Sequence, residues 1–321
     1  MTDLTHLHGF IKDLHAKFKS NHEGEVATYI PELGKANPDD FGICIATVDG
    51  RVISVGDCAH EFTIQSICKP FAFQMALEQL GREEVFQHVS VEPSGEAFNS
   101  IELEPATKRP YNPMVNAGAI ATASLIKGRS PEAGVKAFVE QMSRAAGRPL
   151  RMDDAVLASE SATGNRNRAI AYLLLNWGMI DSAVDHALHQ YFSECSLLVN
   201  CRDLATIAAT VANTGTNPTT GEEAFEMKYL KDMLSVMFTC GLYDYAGEWA
   251  YHVGFPAKSG VGGGILGVVN RQLGVAVYSP RLDARGNSVR GIQVCKALAD
   301  EFGLHVFDVL NFGSNFIKSM A

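Results

Sequence analysis

The sequence is built around Phe62-Thr-Ile-Gln-Ser-Ile-Cys-Lys-Pro-Phe71, where a short strand-like run gives way to a long apolar helix that continues to Leu80. Within it, Ser66 and Lys69 form a Ser-x-x-Lys motif at the beginning of the predicted helix. Positions three apart lie on one face of a helix, so the two side chains are expected to point the same way. Because a hydroxyl beside an amine that can lose its proton is an activated nucleophile, the motif predicts a catalytic serine.

A second Ser-x-x-Lys, from Ser124 to Lys127, shows that the motif alone is weak evidence, since about one copy is expected by chance in a chain of this size. Ser124 ends an alanine-rich helical run, where a helix presents carbonyl groups and the negative end of its dipole. Ser66 begins a helix, where N–H groups and the positive end of the dipole are available to an oxyanion. We therefore expect Ser124 and Lys127 to be inert.

Composition and charge exclude several classes of function. The chain has 321 residues, of which 46% are hydrophobic, enough to bury the core of one large or two moderate domains. The net charge of −9 argues against a nucleic-acid or anionic-membrane surface. No apolar run is long enough to span a membrane, and no signal peptide is visible at the N-terminus. Seven cysteines, an odd number without framework spacing, suit a reducing cytoplasm, so we expect a cytoplasmic protein.

The order of predicted elements favours an α+β fold. Strands at 41–48 and 51–55 flank Asp49-Gly50, a hairpin signal, and strands return at 249–253, 264–269 and 273–278. Helices are expected at 4–19, 24–33, 116–126, 131–146, 166–177, 179–191, 201–213, 227–237 and 288–302. This order predicts a mainly antiparallel sheet built from both chain ends, flanked by helices, with a helical insert. The expected division is a discontinuous sheet lobe (1–69 and 245–321) and a mostly helical lobe (70–244), with the active site between them.

A glycine-rich segment, Lys258-Ser-Gly-Val-Gly-Gly-Gly264, lies between the C-terminal strands. It could be a simple flexible turn, and a phosphate-binding loop is disfavoured because no Gly-Lys-Ser/Thr or helix follows the glycines. A Lys-Ser-Gly on a strand edge, downstream of Ser-x-x-K, is instead typical of active-site serine acyl-transfer enzymes. In that interpretation Lys258 supplies positive charge, and Ser259 and Gly260 allow a substrate to approach the backbone closely.

Seven motifs across nearly the whole chain carry a more specific resemblance. They are Tyr29-Ile-Pro-Glu-Leu, Phe62-Thr-Ile-Gln-Ser-Ile-Cys-Lys-Pro, Asn112-Pro-Met-Val-Asn-Ala-Gly-Ala-Ile120, Glu160-Ser-Ala-Thr-Gly-Asn-Arg-Asn-Arg-Ala169, Tyr191-Phe-Ser-Glu-Cys-Ser196, Cys240-Gly-Leu-Tyr-Asp244 and Lys258-Ser-Gly-Val-Gly-Gly-Gly. With these motifs the chain resembles the serine-dependent glutaminases of the bacterial type. The resemblance implies a serine β-lactamase/transpeptidase-like fold, L-glutamine as substrate, no metal or organic cofactor, and a homotetramer or dimer.

The resemblance also implies roles for individual residues. Ser66 would be the nucleophile and Lys69 its general base. The positions that match the family's substrate contacts are Tyr29, Ser66, Asn116, Glu160, Asn167, Tyr191, Tyr243 and Val261. Gly164-Asn165 departs from the residues more often found there, which affects only the detail of that loop.

The residue types suit a zwitterionic amide substrate. A carboxylate such as Glu160 can hold an α-ammonium, and the amides of Asn116 and Asn167 suit an α-carboxylate. The expected oxyanion hole is formed by the backbone N–H groups of Ser66 and Val261. Lys69 requires a pKa lowered by roughly three units to be neutral near pH 7.

The same side chains are also compatible with simpler structural roles. The two asparagines are also typical helix caps, and Glu160 could form a solvated ion pair. Tyr243, the first choice to protonate the leaving ammonia, and Tyr191, the second, could be core aromatics. Two other functions remain open: a β-lactamase or transpeptidase, and a non-catalytic glutamine sensor on the same scaffold.

Overall fold

The computed structural model describes residues 4–95, 100–126, 130–180 and 184–308. At its centre is a five-stranded antiparallel sheet with the strand order β2-β1-β7-β6-β5. The strands are β1 (Gly42–Thr47), β2 (Val52–Gly56), β5 (Ala257–Ser259), β6 (Gly264–Val269) and β7 (Leu273–Tyr278), and a separate pair is formed by β3 (Phe62–Thr63) and β4 (Leu198–Val199). The sheet joins both ends of the chain, as the sequence predicted, because β1 pairs along its whole length with β7.

Both faces of the sheet are covered, which explains why its inner strands are apolar throughout. On one face α1 (Thr5–Phe18) and α11 (Val289–Phe302) pack against the side chains of β1 and β7. On the other face lies α8 (Cys201–Ala212). A Cβ atom at Gly274 would lie 2.3 Å from the carbonyl oxygen of Ala205, so glycine there allows α8 to approach the sheet closely.

The remaining helices form a mostly helical region around α3, whose small residues are buried along nearly its whole length. These helices are α2 (Lys69–His88), α3 (Asn116–Leu125), α4 (Pro131–Ala146), α5 (Asp154–Thr163), α6 (Asn165–Asn176), α7 (Val184–Cys195), α9 (Met227–Cys240) and α10 (Ala246–His252). The helical region and the α8 face of the sheet share one hydrophobic core. Within the described residues, no helix combines the length and the apolar content needed to cross a bilayer.

Two local predictions were wrong. Residues 249–252 belong to helix α10, and Val253 is its C-cap, so no strand forms here. Trp249 and Val253, four apart, are both fully buried on one side, while Tyr251 is 79% exposed. Residues 24–33 do not form a helix. Glu25 pairs with Leu282 as a β-bridge, and only a short 3-10 helix, Leu33–Lys35, follows.

Two other features of the helical region were not anticipated. Helix α5 was missed, although Asp153 caps it by accepting hydrogen bonds from the N–H groups of Ala155 and Val156. Helix α2, expected to end at Leu80, is longer than predicted. Gly81 adopts φ +79° at a kink, and the helix then continues to His88. The expected helix at 179–191 includes residues 181–183, which lie outside the described residues, and α7 is described from Val184 onward.

Candidate active site

The predicted nucleophile lies in a tight turn between β3 and α2. Residues Gln65–Cys68 form a single 3-10 turn that leads directly into α2 at Lys69. Gln65 has φ +50°, a left-handed conformation that is unfavourable for a residue with a side chain. Such strain is typical of functional sites, where the surrounding structure imposes the backbone conformation. Ser66 and Lys69 are both buried, and the turn fixes their relative positions.

Lys69 is a buried amine held by neutral oxygen atoms. Its Nζ donates hydrogen bonds to Asn116 Oδ1 at 2.7 Å and to the carbonyl oxygen of Met114 at 3.2 Å. Burial lowers the pKa of Lys69 from 10.5 to about 8, although nearby thiols and Glu160 act in the opposite direction. The amine can therefore lose its proton near neutral pH, which a general base requires.

Tyr243 lies beside the predicted nucleophile, next to the end of β5. Its hydroxyl is hydrogen-bonded to the side chain of Ser66 and donates to the carbonyl oxygen of Ser259 at 3.2 Å. Burial raises the pKa of Tyr243 and keeps the phenol protonated, while the hydrogen bond to Ser66 acts weakly the other way. Like Gln65, Tyr243 has a positive φ, of +58°. A protonated phenol beside Ser66 is a suitable general acid.

Lys258 supports Tyr243 rather than facing the cavity. Its Nζ donates to the carbonyl oxygens of Gly241 and Ser259, both at 2.8 Å, and lies 4.0 Å from the centre of the Tyr243 ring. Burial, and secondarily the charge of Lys69, lowers the pKa of Lys258. The positive charge expected here is thus disfavoured, and the visible role of Lys258 is to join β5 to the segment that carries Tyr243.

A cavity of about 270 Å³ opens beside Ser66. Its walls include six of the predicted site residues: Tyr29, Ser66, Asn116, Glu160, Asn167 and Tyr191. Four of these six come from helices that begin or end at the cavity, namely α3, α5, α6 and α7. Tyr29 is 56% exposed and lies in the irregular segment before Leu33–Lys35.

A hydrogen-bonded chain crosses the cavity wall. Asn116 Oδ1 accepts from Lys69 and, at 3.3 Å, from the hydroxyl of Tyr191, while Asn116 Nδ2 donates to Asn167 Oδ1 at 3.0 Å. Burial raises the pKa of Glu160 to about 7, partly opposed by a hydrogen bond from Gln65 and by the charge of Lys69. A cation placed against Glu160 would favour its ionised form.

The turn after β5 lies against the backbone that precedes Ser66. A Cβ atom at Gly260 would lie 2.9 Å from the carbonyl oxygen of Ile64, and one at Gly262 would lie 2.7 Å from that of Thr63. Glycines are needed on both sides of Val261 for this approach. The side chain of Val261 is buried with Ile30, Leu33 and Leu282 instead of lining the cavity, so any contribution to the site comes from its backbone.

Several cavity residues were not predicted. They are Ile30, Gln65, Thr163, Gly164, Arg166 and Cys195. All lie within the motifs quoted above. Gln65 is in the turn that holds Ser66, and Cys195 is the last residue of α7, the helix that carries Tyr191. In the second Ser-x-x-Lys, the Ser124 hydroxyl bonds back to the Ala121 carbonyl at 2.7 Å, and Lys127 lies outside the described residues.

The site combines a serine hydroxyl, a buried amine with a lowered pKa, a protonated phenol and a polar cavity closed by a carboxylate. In the described ranges, no cluster of three or more His, Cys, Asp or Glu side chains is arranged to hold a metal ion. These groups suit acyl transfer to a serine from a small substrate that carries an ammonium group.

Comparisons with known proteins identify the family. The family model described as glutaminase matches residues 24–307. A glutaminase of Trichormus variabilis is 58% identical over 298 residues, a match that covers 93% of this chain and 89% of the relative. The solved structure of a probable glutaminase, ybaS, superposes with a TM-score of 0.92 at 39% identity, over 95% of this chain and 99% of that one. Mglu in its glutamate form gives a TM-score of 0.91 at 41% identity, over 96% of this chain and 71% of that one. The chain therefore belongs to the glutaminase family of amidohydrolases, enzymes that hydrolyse glutamine.

Proposed function

We propose that this glutaminase converts L-glutamine and water to L-glutamate and ammonia through an acyl-enzyme on Ser66. The observation that carries the proposal is the position of Ser66 in the wall of a polar cavity, hydrogen-bonded to Tyr243 and one turn from the buried amine of Lys69. The same cavity is lined by Glu160, Asn116 and Asn167, whose groups complement the charged end of an amino acid.

In the first step Lys69 accepts the proton of Ser66 as its oxygen attacks the side-chain amide carbon of glutamine. With a pKa of about 8, roughly one tenth of Lys69 is neutral at pH 7. The backbone N–H groups of Ser66 and Val261 hold the oxyanion, an assignment supported by the close packing of the Gly260–Gly262 turn against residues 63–65.

When the tetrahedral intermediate collapses to the acyl-enzyme, Tyr243 donates a proton to the departing ammonia. Tyr191 is the alternative donor. Tyr243 is the better placed because its hydroxyl bonds directly to Ser66, whereas that of Tyr191 bonds to Asn116. A water molecule then hydrolyses the ester with the same groups acting in reverse. Lys258, Ser259 and Gly260 support this arrangement by positioning Tyr243 and the oxyanion turn.

Substrate selection follows from the cavity walls. Glu160 binds the α-ammonium group. Burial raises the pKa of the Glu160 carboxyl to about 7, and the bound cation favours its ionised form. Asn116 and Asn167 contact the α-carboxylate, and Tyr29 and Tyr191 complete the wall. Mglu, a relative of similar structure, is described in a glutamate form, which supports an amino-acid ligand in this fold.

We further propose a cytoplasmic homo-oligomer, a tetramer or dimer, that acts without a cofactor. All seven cysteines are free, as a reducing compartment favours. Helix α6 and its C-cap residue together expose four large apolar side chains, Tyr172, Leu173, Leu175 and Trp177, and such a surface favours association between copies. Sedimentation of the purified chain distinguishes these states from a monomer.

The test is ammonia and glutamate release from L-glutamine, with L-asparagine as the control substrate. Ser66→Ala and Lys69→Ala are expected to lower kcat by a factor of about 10⁴ or more, while Ser124→Ala, in the second motif, retains wild-type rates. Tyr243→Phe should lower kcat more than it raises KM. Near-native turnover in folded Lys69→Ala would refute the base assignment, and turnover in Ser66→Ala would refute the acyl-enzyme.

A further inference from the structure

Two cysteines meet directly behind the proposed nucleophile. Cys68 lies in the Gln65–Cys68 turn, between Ser66 and Lys69, and Cys195 is the last residue of α7. Their sulfur atoms are 3.8 Å apart, in van der Waals contact, although the residues are 127 positions apart in the chain. Both side chains are buried, with exposed fractions of 0% for Cys68 and 3% for Cys195.

The two thiols differ in their access to small molecules. Cys195 lines the cavity beside Ser66, whereas Cys68 is enclosed in the core. Burial raises the pKa of Cys68 well above that of a free thiol, so Cys68 stays protonated and is not the thiol that reacts with the oxidant itself. A small oxidant that enters the substrate cavity therefore meets Cys195 first.

We propose that Cys68 and Cys195 are an oxidation site, at which hydrogen peroxide entering the cavity closes a disulfide that inactivates the enzyme. Peroxide oxidises the Cys195 thiol to a sulfenic acid and is itself reduced, releasing one water. The Cys68 thiol then passes its proton to the sulfenic oxygen as its sulfur attacks the Cys195 sulfur. The S–S bond forms, the S–O bond of Cys195 breaks, and a second water leaves. Two thiols thus lose two electrons and two protons, which reduce one peroxide to two waters.

The proposed bond draws the turn that carries Ser66 toward the end of α7. A disulfide requires a sulfur–sulfur distance of about 2.05 Å, well below the present 3.8 Å. Cys68 shares its turn with Ser66 and adjoins Lys69, so its movement alters the contacts of Ser66 with Tyr243 and of Lys69 with Asn116. Catalytic geometry tolerates displacements of only a fraction of an ångström before the rate falls. The loss of activity rests on the proposed role of Ser66, whereas disulfide formation does not.

The chain provides a matched control pair. The thiols of Cys58 and Cys201 are also neighbours, since each shifts the pKa of the other. They are buried against the sheet, where Cys201 Sγ lies 3.3 Å from the carbonyl oxygen of Ala276, and neither lines the cavity beside Ser66. If proximity alone determined oxidation, both pairs would react; if access through the cavity determines it, only Cys68 and Cys195 will.

The experiment treats the full-length protein with hydrogen peroxide and follows peptide linkage and glutaminase rate in the same samples. We expect a disulfide-linked peptide pair containing Cys68 and Cys195, forming in step with a loss of rate of more than tenfold, both reversed by dithiothreitol. A saturating product, L-glutamate, should slow both. Cys58→Ser should behave like the wild type.

Cys68→Ser and Cys68→Ala, each compared with its own untreated rate, should form no such linkage and should instead accumulate a sulfenic acid at Cys195 that a dimedone probe labels. Absence of the linked peptides from folded, peroxide-treated protein overturns the proposal. Full activity of the linked protein overturns its inactivating role. A wild type that releases no ammonia before treatment contradicts the proposed function instead, and the peptide map still tests the pair.

Discussion

At the scale of single residues, burial of Lys69 links catalysis to stability. Among the described residues, its ammonium group finds a carbonyl and an amide oxygen as hydrogen-bond acceptors and no carboxylate, and its pKa falls to about 8. The folded state therefore disfavours the charged amine relative to the unfolded chain, where the ordinary value of 10.5 applies. The lowered pKa that suits Lys69 to its proposed role as a base therefore costs folding stability.

Replacing this amine should remove the rise in stability that occurs as the pH becomes alkaline. Below pH 8, Lys69 is protonated in both states and destabilises the folded protein; between pH 8 and 10.5 only the unfolded chain holds the proton, so stability rises with pH. Lys69→Met has no amine at this position, so this pH dependence is absent from its stability. Its advantage in unfolding free energy over the wild type should therefore shrink by about 3 kcal/mol between pH 7 and 10.5.

Urea unfolding at several pH values measures this difference. Lys136→Met, at a lysine whose side chain is 77% exposed, is the control and should show no comparable trend. A difference between Lys69→Met and the wild type that stays constant with pH would mean that Lys69 titrates normally in the folded protein.

At the scale of elements, the site depends on close backbone contact between α9 and β5. A Cβ atom at Gly241 would lie 1.8 Å from the carbonyl oxygen of Ala257, and the carbonyl oxygen of Gly241 accepts a hydrogen bond from Lys258. The backbone at Gly241 is ordinary, with φ −71°, so the requirement for glycine here is steric. The contact holds the strand edge beneath Tyr243.

Gly241→Ala should therefore destabilise the fold by about 3 kcal/mol and lower kcat, because the added methyl group forces β5 away from α9. Gly247→Ala, in α10, is the matched control. Among the described residues, no atom outside its chain neighbours and its own helical backbone lies within 4 Å of the added methyl group, and alanine should stabilise that helix by up to about 1 kcal/mol.

Thermal unfolding and steady-state kinetics of both variants check this prediction. Equal stability of Gly241→Ala and Gly247→Ala would show that the α9–β5 contact is not required.

At the scale of the whole molecule, one hydrophobic core joins the sheet and the helical region. Helix α8 belongs by sequence to residues 70–244, yet it packs on β1, β6 and β7 and shares their core. The division into a sheet lobe and a helical lobe, with the active site between them, remains a prediction. The continuity of the core implies that the two parts unfold together.

The two tryptophans allow a direct test. Trp249 is fully buried beside the sheet and Trp177 is 47% exposed on the helical side, so Trp177→Phe leaves a fluorescence probe of the sheet side alone. We expect the fluorescence of this variant and the far-ultraviolet circular dichroism, which reports the helices, to change with one midpoint in urea. Two separate midpoints would establish independently folding lobes.

The sequence by itself determined most of the regular structure and the chemical nature of the site. Strands β6 and β7 occur at 264–269 and 273–278, as predicted, because uninterrupted apolar runs between turns have few alternatives to a buried strand. The Ser66 motif and the family motifs pointed to a glutaminase, and the comparisons confirm the family.

Only the tertiary structure decided how the residues between these runs are used. Residues 24–33 and 249–253 have apolar spacing compatible with more than one element, and contacts with Leu282 and the sheet-side core select the observed one. The hydrogen bond of Asn116 to Lys69, the burial that lowers the pKa of Lys69, and the contact between Cys68 and Cys195 likewise join distant positions. Local pattern records which faces are apolar, whereas the partner of a buried polar group depends on chain segments that meet only in the folded molecule.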